Sequence, residues 1–246
     1  MAQIVSVISG KGGTGKTSLC AGIAASLARS GAKVLCIDLD VGLRNLDIAL
    51  GMADEAALPF TAVMRGETAV EQATPHPSQR QLYLLTAPVT ERIEAVDAAA
   101  FGTLLQQARQ IYDWVLIDAP AGLGRGFQLA TAFADKAIVV TLADPASQRD
   151  AARTTDLLLE RRDIPVRMAV NRVNPKLFTK LRETVDDVMD RVGLPLLGLV
   201  PEDASVVLAA ANGMLLIDYG RQGASQACRN LAARLQGRRV PLMKLK

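Results

Sequence analysis

The sequence predicts an α/β fold in three layers, a mostly parallel β-sheet with helices on both faces. Three observations predict it. Short β-branched runs alternate with longer helical stretches. The runs are apolar almost throughout, as strands buried on both faces must be. A glycine-rich segment, SGKGGTGKTS at 9–18, lies directly between the first strand and the first helix. With 246 residues, 50% of them hydrophobic, the chain can bury a substantial core.

The expected elements follow in order. QIVSVIS (3–9) is the first strand, and the helix over 16–30 leaves the glycine segment with an Ala/Leu-rich pattern. KVLCID (33–38) and LYLL (82–85) are the next strands. TPHPSQR (74–80) reads as a surface loop, because the strand after it continues the same alternation. A helix at 97–111 leads into the strand WVLID (114–118), which ends in an Asp and a Pro/Gly turn. AIVVT (137–141), a helix at 147–162, VRMAVN (166–171), a helix at 176–192, LLGLV (196–200) and a helix at 221–236 complete the pattern. Leu157, Leu158 and Leu159 followed by Arg161 and Arg162 fit a helix with one buried side. There is no internal repeat, so the reading is one domain over 1–237 and a short basic-apolar tail over 238–246.

Composition excludes several classes. Aromatic residues are only 4%, which argues against stacking platforms for single-stranded nucleic acid. No run of 18 apolar residues occurs and the N-terminus lacks a secretory pattern, so a cytoplasmic protein is expected. Cys20, Cys36 and Cys228 lie too far apart for a zinc or iron–sulfur ligand set, and Cys20 and Cys36 read as small buried side chains. After Asp218 the chain carries seven basic residues and no acidic one. That end either faces an anionic surface or is a solvated helix face.

Gly10 to Thr17 matches G-x-x-x-x-G-K-[ST], flanked as its mechanism requires by a strand and a helix. Backbone N–H groups of Gly10, Gly12, Gly13, Thr14, Gly15 and Ser18 can converge on phosphate oxygens, aided by the helix dipole. Lys16 would reach the β- and γ-phosphates of ATP, and the Thr17 hydroxyl would ligate Mg²⁺. Lys11 is a second cation at the near edge of the loop. Its compensating anion is either its own phosphate or that of a docked second subunit, where it would act like an arginine finger. Asp118, ending its strand, would act on Mg²⁺ through water, and the Gly122 N–H would donate to a γ-phosphate. Asn171 can donate to and accept from an adenine edge, with Arg172 beside it, and Pro201 and Asp203 would flank the base. Asp203 or Ser205 could equally cap a helix.

KGGTGKT at 11–17 resembles the deviant Walker A motif of the MinD/ParA family of P-loop ATPases, and the likeness extends to about residue 241. The resemblance implies an ATP-sandwiched homodimer in which Lys11 crosses the interface, making Lys11, Lys16 and Asp40 the catalytic set. It implies that Asp38 helps hold the magnesium shell while Asp40, in switch I, positions the attacking water. VGLRNLD (41–47) and DAPAG (118–122) are similar to the MinD branch, as are PFTAVMRGETAVEQA (59–73), LYLLTAPVT (82–90) and DPASQRDAARTTDLL (144–158). Arg149 and Asp150 fall near the surface that branch uses for partners. The branch implies placement of the division septum, a MinC-like division inhibitor, a MinE-like or other topological regulator, and no sequence-specific nucleic acid.

Two departures stand out. RRVPLMKLK (238–246) resembles only the beginning of the linker that in MinD precedes a membrane-entering helix. Val240, Leu242, Met243 and Leu245 with Arg238, Arg239, Lys244 and Lys246 make at most a minimal anchor for an anionic membrane, since nine residues around a proline form a poor helix. In GLGRGFQL (122–129), Gly124 and Arg125 occupy a region where MinD often carries an acid. Other readings are a flagellar-number ATPase like FlhG, a ParA-like partition protein supported by the basic C-terminal end, and a metabolic enzyme on the same scaffold. A nitrogenase-iron-protein-like reductase would need cluster cysteines, and a ligase like dethiobiotin synthetase a second substrate pocket.

Overall fold

The computed structural model describes residues 1–181 and 183–243. Its strands are β1 (Gln3–Ile8), β2 (Val34–Asp38), β3 (Thr74–Pro75), β4 (Leu82–Leu85), β5 (Trp114–Asp118), β6 (Lys136–Thr141), β7 (Val166–Val173) and β8 (Leu196–Pro201). They form one eight-stranded sheet in the order β3-β4-β2-β5-β1-β6-β7-β8. Every pairing is parallel except β3 with β4. Each strand read from the sequence is present. β3 is additional, a two-residue edge pairing at the start of TPHPSQR that is too short to leave a pattern.

The helices are α1 (Lys16–Arg29), α2 (Leu46–Ala49), α3 (Phe60–Met64), α4 (Ala98–Ile111), α5 (Arg125–Ala132), α6 (Pro145–Leu159), α7 (Pro175–Leu181), α8 (Val185–Val192), α9 (Ser205–Ala211), α10 (Leu216–Tyr219) and α11 (Gly223–Leu235). Two expectations change. The helix expected from 147 begins at Pro145, because the Asp144 carboxylate accepts from the Ser147 N–H at 3.0 Å and Pro145 suits the first helical position. The single helix expected over 176–192 is two helices. Thr184 starts the second in a reciprocal capping box with Asp187, at 2.7 and 3.2 Å.

Strand alternation divides the core between the two faces of the sheet. Ile4, Leu35, Ile37, Val115 and Ile117 pack with Phe101, Phe127 and Leu158 from α4, α5 and α6. Val5, Val34, Cys36 and Leu116 face the other way, onto Ile23 and Leu27 of α1 and Leu231 of α11. The period of two then decides where the acids go. Asp38 and Asp118 end β2 and β5 with the parity of Cys36 and Leu116, and they are direct cross-strand neighbours on the α1 side. Helix α1 meets α11 closely at Gly22, where a β-carbon would lie 2.5 Å from the Cys228 sulfur. All three cysteines are buried, and burial raises their thiol pKa values, that of Cys228 to about 12. Among the described residues no helix is long and apolar enough to cross a membrane. Lys244, Leu245 and Lys246 of the expected tail lie outside the described residues.

His76, the sole histidine, holds the β3–β4 connection to the end of α2. Its Nε2 donates to the Leu50 carbonyl at 2.8 Å, and Nδ1 accepts from the N–H groups of Ser78 and Gln79 at 3.2 and 3.0 Å. The ring is therefore neutral, and burial lowers its pKa below the ordinary 6.5. The unfolded chain takes the proton first, so this stabilisation is complete above about pH 6.5 and is lost as pH falls through the folded value. Urea midpoints of the parent should fall between about pH 7 and pH 5 more steeply than those of His76→Asn. Parallel slopes would show that His76 is not the titrating group.

Candidate functional site

The site forms at the carboxyl ends of β1, β2 and β5, where the chain leaves the sheet for helices on either face. Residues 9–15 turn sharply from β1 into α1. Gly15 has φ +82°, which glycine adopts without strain, and a β-carbon there would sit 2.2 Å from the Asn171 side-chain nitrogen. Gly10 is needed for space: its β-carbon would lie 2.5 Å from the Asp150 carbonyl of α6. The loop is thus pressed between β7 and α6.

Lys16, buried at the first turn of α1, reaches the Asp118 carboxylate at 2.6 Å, with its Nζ also 3.5 Å from the Thr17 hydroxyl. The second Asp118 oxygen has no partner, and neither has the buried Thr14 hydroxyl. Asp38 spends both oxygens on backbone, accepting from the N–H of Asp40 at 2.8 Å and of Leu46 at 3.1 Å. It shapes the turn that carries Asp40 over the loop. Burial, reinforced by the charge of Asp118, pushes Asp38 up to about 7 against those two N–H donors. Burial also raises Asp118 and Asp40, with Lys16 opposing in each case. Three carboxyls with raised pKa values around one buried lysine leave a strong demand for added positive charge.

Two cavities adjoin here and share Gly15, Ser18 and Arg172. The first, about 370 Å³, is lined by the loop residues Lys11 to Ser18 together with Asp40 and Ala121. The second, about 500 Å³, is lined by Asn171, Pro201, Asp203, Val206 and Leu216 among others. A nucleotide's phosphates and base fit such a pair of chambers. Gly122 adopts φ +91°, and its N–H donates to the Ser9 carbonyl at 3.1 Å. Donation to a phosphate requires that bond to be exchanged. Arg172, at a bulge in β7, has φ +50° and stands exposed at the wall between the chambers.

Two residues read as base contacts also hold structure. The Asn171 amide donates to the Thr14 carbonyl at 2.7 Å. Asp203 accepts from the N–H of Ser205 at 2.9 Å and of Ala224 at 2.8 Å, tying the first turns of α9 and α11 together. Its carboxylate thus serves helix starts, while the N-cap positions themselves are Ala204 and Gln222. Ser9 went unread at this site; its hydroxyl donates to the Lys11 carbonyl at 3.0 Å. So did Leu43, Ile48 and Ala210, the apolar side of the phosphate chamber. Only their three-dimensional meeting marks them.

The orphaned Asp118 oxygen and the nearby Thr17 hydroxyl fit a hard cation that prefers oxygen donors. Among the described residues no cluster of three or more His, Cys, Asp or Glu side chains could hold a metal alone.

Comparison with known protein families matches residues 5–217 to the CobQ/CobB/MinD/ParA nucleotide binding domain. The chain belongs to the MinD/ParA family. It is 36% identical over 250 residues to the septum site-determining protein MinD of Bacillus subtilis, covering 100% of this chain and 93% of that one. Among solved structures it is similar to the MinC:MinD cell division protein complex of Aquifex aeolicus, with TM-score 0.91, 32% identity and 99% of each chain covered. It is also similar to MinD of Pyrococcus horikoshii complexed with Mg-ADP, with TM-score 0.84, 27% identity and 96% of each chain covered. The matched span, residues 5–217, includes the glycine loop and the strands whose ends wall the two chambers, and ATP with Mg²⁺ is the cofactor pair consistent with the family.

Proposed function

We propose that the chain is a MinD-like ATPase that works as an ATP-dependent dimerisation switch and helps place the division septum. The ATPase domain spans 1–237, with 238–246 as its appendage. One observation carries the reading. Lys16, the lysine any phosphate loop needs, is already buried against Asp118, whereas Lys11 lines the phosphate chamber, is exposed, and makes no ion pair among the described residues. A cation so placed suits the phosphates of a second protomer.

In this reading Lys16 clamps the β- and γ-phosphates and exchanges Asp118 for them. The N–H groups of residues 12–18 complete the cradle. The Thr17 hydroxyl, Asp38 and Asp118 would hold Mg²⁺, which would supply charge neutralisation. Asp40 positions the attacking water in line with the γ-phosphate. Gly122 trades its bond to Ser9 for one to the γ-phosphate and so reports the nucleotide state. Asn171, Arg172, Pro201 and Asp203 surround the base.

The relative from Aquifex aeolicus, solved as a complex of MinC with MinD, supports a MinC-like division inhibitor as partner. The surface of α6 around Arg149 and Asp150 suits it, because Gly10 lies so close under α6 that a β-carbon there would be 2.5 Å from the Asp150 carbonyl, and a shift of the loop can be passed to that helix. A MinE-like or other regulator, and peripheral binding of the ATP form to the cytoplasmic face of the membrane, complete the proposal.

The test is oligomeric state by light scattering. The parent should be a monomer with ADP and a dimer with Mg²⁺ and a slowly hydrolysed ATP analogue. Lys11→Ala should bind both nucleotides and stay monomeric. A parent that never dimerises, or a Lys11→Ala variant that dimerises like the parent, would overturn the reading.

A further inference from the structure

The opposite end of the sheet holds a second basic cavity, far from the phosphate loop in the fold. It has a volume of about 560 Å³ and is lined by Arg167, Arg234, Gly237, Arg238, Arg239, Val240 and Pro241. Among the described residues none of its four arginines makes an ion pair, and no acidic residue lines it.

The cavity is built by the fold. Helix α11 ends with Gly237 in the left-handed conformation, φ +81°, the Gly237 N–H donating to the Arg234 carbonyl and the Arg238 N–H to that of Ala233, both at 3.0 Å. This reverses the chain over the N-terminal edge of the sheet. Arg234 then pins the returning segment. Its guanidinium donates to the carbonyls of Val240 at 3.0 Å, Pro241 at 2.8 Å and Leu197 at 2.9 Å. Gly198 of β8 leaves the room it needs, since a β-carbon there would lie 2.6 Å from the Arg234 Nη1. Nearly all the Arg234 donors are spent on carbonyls, so its charge stays uncompensated while it fixes the loop carrying Arg238 and Arg239. Arg167, exposed near the start of β7, closes the other side.

We propose that this cavity binds the phosphate group of a phosphate ester, independently of the nucleotide. Exposed guanidinium forks match the tetrahedral oxygens of phosphate, and three of them lining one cavity without an acid favour an oxyanion that several forks can share over chloride. Arg167, Arg238 and Arg239 make the contacts, and Arg234 is a positioning residue. The phosphate can come from a soluble ester or from a phospholipid headgroup.

The experiment uses the full chain saturated with Mg²⁺ and ADP, so that the phosphate loop is filled. Glycerol 3-phosphate is titrated calorimetrically, and sedimentation compares vesicles of phosphatidylglycerol with vesicles of phosphatidylcholine. The variant Arg167→Gln/Arg239→Gln is set against Arg153→Gln/Arg161→Gln, which removes the same charge from exposed positions elsewhere. The parent should bind the soluble ester, the cavity variant about tenfold or more weakly, and the control like the parent. Binding to phosphatidylglycerol vesicles alone, lost in the cavity variant and kept in the control, assigns the phosphate to a headgroup. Equal weakening in both variants would mean diffuse charge attraction and overturn the proposal, as would a parent that binds neither probe. Arg239→Gln alone, in the loop beyond α11, repeats the comparison should the double variant fold poorly.

Discussion

Lys16→Met is expected to lower the stability of the nucleotide-free chain by about 3–5 kcal/mol, the usual consequence of removing one partner from a buried ion pair. The pair is 6% and 1% exposed at its two side chains, so water does not screen it. Without Lys16, Asp118 loses its one hydrogen-bonded cation while its other oxygen is already orphaned and Asp38 stands directly beside it. The carboxyl must then stay buried and charged or take up a proton, and either outcome costs stability. The double variant Lys16→Met/Asp118→Asn removes both charges and should recover most of the loss. Neither variant should hydrolyse ATP at more than about 10⁻² of the parent rate, because the phosphate clamp is gone in both. Urea unfolding at neutral pH separates the effects. A single variant as stable as the parent would mean that the pair contributes nothing to the fold.

What could be read from the sequence, and what could not, divides on whether the signal is local. The phosphate loop was legible because its glycines answer a backbone requirement that holds within ten residues. The strands were legible because burial on both faces leaves continuous apolar runs. The shared face of Asp38 and Asp118 follows from parity, but parity says nothing about pairing, and their adjacency depends on β5 lying beside β2. The Asn171 contact with Thr14 spans 157 positions, and no local pattern announces it. The double contact of Asp203 was open to a sequence reading only in its near half, Ser205; Ala224 lies 21 residues on. Helices α2, α9 and α10 run for four to seven residues, too short for a periodic apolar stripe to repeat. The chain reversal over Arg234 needed both Gly198 and Gly237, neither informative alone.

Asp40→Ala is expected to bind ATP, dimerise, and hydrolyse about 10²–10⁴-fold more slowly than the parent, the range for losing a group that positions or deprotonates the nucleophile. The two neighbouring aspartates should behave differently for a structural reason. Asp38 ties down the N–H groups of Asp40 and Leu46, so truncating it loosens the turn itself. In Asp40 it is the backbone carbonyl that holds the turn, accepting from Leu43 at 3.3 Å and Arg44 at 3.0 Å. That carbonyl survives the substitution, and removing a carboxyl whose pKa is raised by burial relieves a strain on the folded state. Asp40→Ala should therefore be no less stable than the parent, while Asp38→Ala should be less stable and bind Mg²⁺-ATP poorly. Because the Asp40 carboxyl titrates above its ordinary 3.8, the parent's turnover should climb with pH through that raised value as the carboxylate forms, and Asp40→Asn should lose the climb. Single-turnover hydrolysis, with light scattering on the same samples, reads both properties at once. An Asp40→Ala dimer that turns over at the parental rate would remove Asp40 from the chemistry and leave the water to another group in the chamber.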